Sequence, residues 1–162
     1  MSWLDRLDRL IGRVIAAAQW LALPLILLLF LQWPLRDIVR SYSRETNDVG
    51  QIIFALFVAV SVTAATRAGT HLAADTLAQR YSTRRRHRLK RVGTAVSILP
   101  WALFVVCAGT SVVVPSVRGL EAFADTDNPG YFIIKAALWF MAIMIVVQSA
   151  VDVFRPMPAD DF

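Results

Sequence analysis

Apolar residues are concentrated in four long runs, which are separated by short polar segments. The runs cover about residues 14–35, 49–66, 92–114 and 131–154. An α-helix rises about 1.5 Å per residue, so about 20 mostly apolar residues cross the roughly 30 Å hydrocarbon core of a bilayer. The pattern predicts an all-α integral membrane protein in which residues 1–162 form one membrane domain with four transmembrane helices.

A short amphipathic segment, residues 2–13, precedes the first run. Apolar side chains recur there at helical spacing, and Asp and Arg occupy the other positions. The pattern predicts an interfacial helix that lies flat in the headgroup region, anchored by Trp3, Leu7 and Leu10. It also fits a simple helical extension of the first span.

The apolar runs contain a few residues that disturb a regular helix or add polarity. Pro24 in the first run and Pro100 in the third each remove a backbone donor, so both predict local distortion of the helix. The strongly polar residues of the first run are Gln19 and Gln32. Neither run contains an internal charge, so membrane insertion remains strongly favoured.

Residues 67–91, here called the basic hinge, connect the second and third runs. Six cations are clustered in its second half: Arg84, Arg85, Arg86, Arg88, Lys90 and Arg91. Positive charge is retained in cytoplasmic loops, whereas the charges of the other loops are balanced or acidic. The cluster therefore predicts a cytoplasmic hinge and, with an even number of spans, cytoplasmic amino and carboxyl termini. These cations would also attract anionic lipid headgroups, at about 1 kcal/mol per charge.

Composition supports the membrane interpretation and excludes others. The chain is 57% hydrophobic, with a mean hydropathy of +0.54. Its net charge of +5 could indicate nucleic-acid binding. Much of the excess positive charge lies in the basic hinge, however, where the retention of Lys and Arg in cytoplasmic loops explains it. Cys107 is the only cysteine, which excludes an internal disulfide and a multi-cysteine metal site.

Small residues in two runs indicate faces where helices approach closely. Ala55, Ala59 and Thr63 repeat every four residues in the second run, and Gly93 and Ser97 form a similar pair in the third. Small side chains allow helix backbones to approach in lipid, so these residues are predicted packing positions, within the chain or against a partner. Ordinary alanine content is the alternative explanation of the first set.

The sequence contains little chemistry. Metalloprotease, phosphate-binding and paired-cysteine motifs do not occur in it. Both histidines, His71 and His87, lie in the basic hinge and outside the spans, which disfavours a haem held between helices. We therefore expect neither an enzyme nor a cofactor bound by this chain.

One polar group in the hinge has a spacing that suggests contact. His71 and Asp75 are four residues apart and would share one face of a helix, close to Arg67. The three residues are a candidate cytoplasmic polar cluster that positions the hinge. A solvated turn, or pairing of Asp75 with another arginine, fits the spacing as well.

The stretch from Asp48 to Arg91 resembles the small membrane subunit of tripartite ATP-independent periplasmic (TRAP) transporters, the DctQ family. The family pattern has an acidic residue before the second span, an arginine after it, a Gly-x-His-apolar-x-x-Asp-x-Leu run and an arginine-rich turn. The matching residues are Asp48, Arg67, Gly69, His71, Leu72, Asp75, Leu77 and Arg84 to Arg86. The four-span plan, the amphipathic start and the length agree as well.

The resemblance implies an accessory scaffold subunit in the bacterial inner membrane. Its partners would be a larger multi-span subunit, which holds the substrate and sodium sites, and a periplasmic binding protein that delivers an organic acid such as a carboxylate or sulfonate. Two other classes stay open at this point. One is the four-span small subunit of a different tripartite carboxylate transporter, and the other is a haem-binding membrane anchor of a respiratory enzyme.

Overall fold

A computed structural model describes residues 3–38, 44–68 and 82–154 of the chain. The regular elements of these residues are helices, and the described loops add an isolated bridge between Ala122 and Pro129. Four helical segments are long and apolar enough to cross a membrane: Trp3–Pro34, Arg44–Ala68, Arg85–Arg118 and Tyr131–Phe154. The predicted all-helical chain with four spans is thereby confirmed.

The first span is built from two helices joined by one tight turn. Helix α1 (Trp3–Ala18) leads into a 3-10 turn (Gln19–Leu21), which leads into α2 (Ala22–Asp37). Pro24 has no N–H for the carbonyl of Trp20, and its ring crowds that carbonyl, so the irregular turn lies one turn before the proline. Helix α1 runs without a break past residue 13, where the flat helix was expected to turn. Its orientation relative to the bilayer stays a prediction.

The remaining helices follow in the order that the apolar runs predict. They are α3 (Arg44–Ala68), α4 (Thr83–Gly93), α5 (Leu99–Arg118) and α6 (Tyr131–Phe154). A π-helical turn (Thr94–Ile98) joins α4 to α5. Pro100 has no N–H to donate to the carbonyl of Val96, which lies in this turn, and its ring crowds that carbonyl. The irregularity therefore also has a local cause.

Helix α6 is the centre of the bundle. It packs against α3 on one side and α5 on the other, while the first span packs mainly on α3. The buried core is formed by side chains of α3, α5 and α6: Ala59, Ala102, Ala137, Met141 and Ile145. Because three of these are alanines, the helix backbones approach closely without the bulky interdigitation of a soluble core.

The connection between α5 and α6, residues 119–130, is short and compact, which makes the two helices antiparallel neighbours. Backbone bonds close it, with the amide of Phe123 donating to the carbonyl of Asn128 over 2.9 Å. Gly130 ends the loop at a φ of +154°, and a Cβ there would lie 3.1 Å from the Phe123 ring and 3.2 Å from Ile52. A side chain here would be strained by the backbone angle and would force the Phe123 and Ile52 side chains to shift, which explains the glycine.

Candidate functional site

The polar contacts of the bundle are concentrated at its two ends. Among the described residues, no group of three or more His, Cys, Asp or Glu side chains could hold a metal ion. His87 lies exposed on α4, and His71 lies outside the described residues. The candidate functional features are therefore contacts between helices and the surfaces that face outward.

An ion pair between Asp8 and Arg67 joins α1 to the end of α3. The Nη1 atom of Arg67 donates to the backbone carbonyl of Asp8 over 2.6 Å, and Nη2 donates to Oδ2 of the same residue over 3.0 Å. The Arg67 side chain is 32% exposed and the Asp8 side chain 18% exposed, so the pair is only partly shielded from solvent. One guanidinium thus holds both the backbone and the side chain of Asp8.

Gly12 allows the Arg67 guanidinium to approach α1 closely. A Cβ at this position would lie 3.3 Å from Nη1 of Arg67, so the guanidinium occupies the space that a side chain would need. Next to it, Ile11 is almost fully buried, with 2% of its surface exposed. The burial of Ile11 and the ion pair of Asp8 with Arg67 thus both help to hold the amino-terminal helix against the bundle.

The structure gives Arg67 a partner that differs from the predicted one. Sequence reasoning grouped Arg67 with His71 and Asp75, because those residues are close along the chain. The latter two lie outside the described residues, so their part of the cluster stays a prediction. The contact with Asp8 joins residues 59 positions apart, and no local spacing rule could have found it.

The opposite end of the bundle contains a second charged group around Glu121. Nζ of Lys135 lies 2.7 Å from Oε1 and 2.5 Å from Oε2 of this glutamate, and the Ser116 hydroxyl donates to Oε2. Lys135 also lies 5.2 Å from the centre of the Tyr131 ring, within cation–π range. The group joins the end of α5, the connecting loop and the first turn of α6.

A buried carboxylate at the same end joins α3 to this loop. Asp48, with 6% of its surface exposed, accepts a hydrogen bond from the Thr126 hydroxyl over 2.5 Å. The same threonine oxygen accepts from the backbone amide of Asn128 over 3.5 Å. The acidic residue that precedes the second span in the family pattern thus fastens α3 to the loop between α5 and α6.

The contacts of Glu121 predict a dependence of stability on pH. Its hydrogen bond with Lys135, and secondarily the one with Ser116, lowers the pKa of the Glu121 carboxyl below the ordinary value of 4.5. A carboxyl whose pKa is lower in the folded state than in the unfolded state stabilises the fold at a pH above its ordinary pKa. This stabilisation is lost as the pH falls through the lowered pKa. We expect Glu121→Gln to lower the melting temperature of the purified protein at neutral pH and to have little effect at a pH well below 4.5.

The measurement is a pair of melting curves in detergent across this pH range. The other carboxyl groups titrate alike in both proteins, so the difference between the curves isolates Glu121. A difference that keeps its size at low pH would show that the carboxylate charge contributes nothing.

The predicted small-residue positions have different surroundings. Ala59 is buried in the core cluster, with Ala55 packed against that cluster. Thr63 is fully buried, and its hydroxyl donates to the carbonyl of Ala59 over 3.0 Å. Gly93 and Ser97 are exposed, and an added Cβ on Gly93 would touch nothing within 4 Å. The stripe in α3 therefore contacts helices of the same chain, whereas the pair near the π-helical turn faces outward.

The residues predicted to face headgroups are mostly exposed. On α4, exposed side chains include Arg85, Arg86, Arg88 and Lys90, while Arg91 is half-buried and the Arg84 side chain lies outside the described part. On α1, the exposed apolar positions are Trp3 and Leu10, and Leu7 is half-buried. These surfaces are available to lipid or to another protein.

Comparison with known proteins gives one match. The family described as Tripartite ATP-independent periplasmic transporters, DctQ component, matches residues 4–159. No curated protein and no solved structure matches the chain. The family match covers all four spans and both polar ends of the bundle, and it confirms the resemblance seen in the sequence. The chain therefore belongs to the DctQ family, the small membrane component of TRAP transporters.

Proposed function

We propose that this chain is the scaffold subunit of a sodium-driven TRAP transporter in a bacterial inner membrane. The transporter would import an organic acid, a carboxylate or a sulfonate, that a periplasmic binding protein delivers. Substrate and sodium would bind to the larger membrane subunit. The role of this chain would be to widen and brace the static part of the complex while the transport domain of its partner moves.

The family match over residues 4–159 carries this proposal. The apolar packing in the interior of the bundle agrees with it. Ala59, Ala102, Ala137 and Met141 pack together where the three central helices meet. A packed apolar core of this kind is expected of a structural bundle and not of a path for a hydrophilic substrate. By contrast, the outer face of the first span exposes large apolar side chains, such as Leu27 and Phe30. A bundle of this kind suits bracing and assembly.

The proposed orientation follows from charge. The basic helix α4, the end of α3 and the start of α1 would face the cytoplasm, because arginine-rich segments are retained there. The loop with Glu121 and Asp48 would then face the periplasm, where the binding protein docks. Arg85, Arg86 and Arg88 would lie at the level of anionic headgroups and attract them.

The test is purification of the tagged chain from its native membrane in mild detergent, followed by mass spectrometry and an absorbance spectrum. We expect a larger multi-span protein in a fixed ratio to this chain and no haem band. Recovery with a soluble redox subunit and a haem band would overturn the proposal in favour of a respiratory anchor. Recovery of the chain alone, under conditions that preserve other membrane complexes, would also contradict it.

A further inference from the structure

A small notch with polar residues lies on the surface between α1 and α3. Its volume is about 250 Å³. Two side chains with hydrogen-bonding groups, Gln19 and Ser61, line it among apolar neighbours. The full lining is Ile15, Ala18, Gln19, Phe57, Val60, Ser61 and Ala64.

The notch results from small residues and from the irregular turn. Ala18 and Ala64 are short side chains on the two facing helices, and they leave a gap that longer residues would fill. The 3-10 turn begins at Gln19, directly after Ala18, so the regular packing surface of α1 ends at this level. A recess therefore remains where the first span and α3 would otherwise pack evenly.

The polar side chains of the notch lack partners within the described part of the chain. Gln19 and Ser61 are both exposed, and neither side chain forms a hydrogen bond with a described residue. Ser61 precedes Arg67 by six residues, which places it roughly 9 Å along the helix from the charged contact with Asp8. Gln19 and Ser61 both lie within helical segments that are long and apolar enough to cross a membrane, Trp3–Pro34 and Arg44–Ala68. An unpaired polar group in hydrocarbon is unfavourable.

We infer that the notch receives a transmembrane helix of the large subunit, which presents a hydrogen-bonding side chain to Gln19 and Ser61. A lipid acyl chain could fill the space, but it offers neither donor nor acceptor. Hydrogen bonds between helices satisfy such groups in membranes, and small residues let the helices approach. The inference rests on the proposed function, because that function supplies a partner within the membrane.

A second groove shows why the polar residues matter. It lies between α3 and α6 and has a volume of about 330 Å³. Apolar side chains such as Phe54, Val58 and Leu138 line most of it, and Gln51 is its polar residue. Acyl chains can fill the apolar part, and Gln51 lies roughly 4.5 Å along α3 from Asp48, near the polar end of the helix. The notch has two hydrogen-bonding side chains, and Ser61 lies further than Gln51 from a charged contact, so the notch is the stronger candidate for a protein partner.

The experiment places a photo-crosslinking amino acid in the intact transporter, in its native membrane. The probe replaces Gln19 or Ser61 in separate variants, and Phe104, which is 68% exposed on α5, in the control. All three positions are exposed, so the probe does not disturb the core. After irradiation we expect adducts with the large subunit from positions 19 and 61, and few or none from position 104.

The possible results separate the inference from the proposed function. If the large subunit co-purifies but positions 19 and 61 give only lipid adducts, or adducts with a second copy of this chain, the inference is wrong and the proposed function stands. If no large subunit co-purifies at all, the proposed function is wrong, and the inference, which depends on it, is wrong as well.

Polar-to-apolar variants test the hydrogen bonds directly. We expect Gln19→Leu with Ser61→Ala to weaken retention of the large subunit in detergent by about three- to tenfold, as befits one or two hydrogen bonds between helices. The matched control is Gln32→Leu, the same change at the other glutamine of the first span. Equal retention in both variants would contradict the inference.

Discussion

Replacing the six clustered cations of the basic hinge with glutamine is expected to give a mixture of two membrane orientations. The change covers Arg84, Arg85, Arg86, Arg88, Lys90 and Arg91. The hinge would retain only Arg67 and Arg80, while the first loop keeps Arg36, Arg40 and Arg44. With the cations of the termini and the remaining loops included, the predicted cytoplasmic side would keep six Lys and Arg residues against five on the other side. The bias in positive charge that selects the orientation would then nearly vanish.

The measurement uses reporter fusions at the carboxyl terminus, one active in the cytoplasm and one active in the periplasm. The unaltered chain should give a single cytoplasmic signal, and the glutamine variant should give both signals. Glutamine favours helix formation nearly as well as arginine, so α4 should persist and only its charge is lost.

A variant with lysine in place of the five arginines is the matched control. It keeps the charge and should keep a single orientation, since the rule depends on charge and not on arginine chemistry. A single unchanged orientation in the glutamine variant would show that other features determine topology.

Breaking the contact between Asp8 and Arg67 should release the amino-terminal helix from α3. Arg67→Ala removes two hydrogen bonds and leaves the Asp8 carboxylate without its cation. Because both side chains are partly exposed, we expect a loss of about 1–2 kcal/mol in the free energy of unfolding, less than for a fully buried pair. Unfolding of the purified protein with SDS in mixed micelles would measure it.

Two further variants separate the charge of Arg67 from its geometry. Arg67→Lys keeps the charge but cannot bond the carbonyl and the carboxylate with one planar group, so it should recover only part of the stability. Arg13→Ala, at an exposed arginine of α1, the helix that contains Asp8, should change stability by less than about 0.5 kcal/mol. Equal effects of Arg13→Ala and Arg67→Ala would contradict the role given to the ion pair.

The spans could be predicted because the bilayer imposes a simple rule on composition. A helix that crosses hydrocarbon must be apolar over a fixed length, and each of the four runs meets this requirement within its own segment. The helix distortions near Pro24 and Pro100 were equally predictable. A missing backbone N–H affects only the preceding turn, so its consequence is local.

The polar contacts at the bundle ends were predicted less well. Lys135 lies near the start of the fourth span, but its bonds to Glu121 depend on the fold of the connecting loop. Asp48 was recognisable through the family pattern, but its partner Thr126 is 78 residues away. Such pairings depend on which helices are neighbours, and hydropathy along the chain does not encode neighbours.

The sequence by itself determined the class of the protein, its four helices, its charge asymmetry and its family. Each of these depends on runs of residues that are contiguous or nearly so. The tertiary structure alone decided that α6 is the central helix, that Ala59 packs inside the chain, and that Gly12 leaves room for the Arg67 guanidinium. It also left Gln19 and Ser61 facing outward in one notch. Close packing and a few hydrogen bonds determine which helices are neighbours in lipid. Both depend on the positions of the backbones in three dimensions, so the sequence pattern does not reveal them.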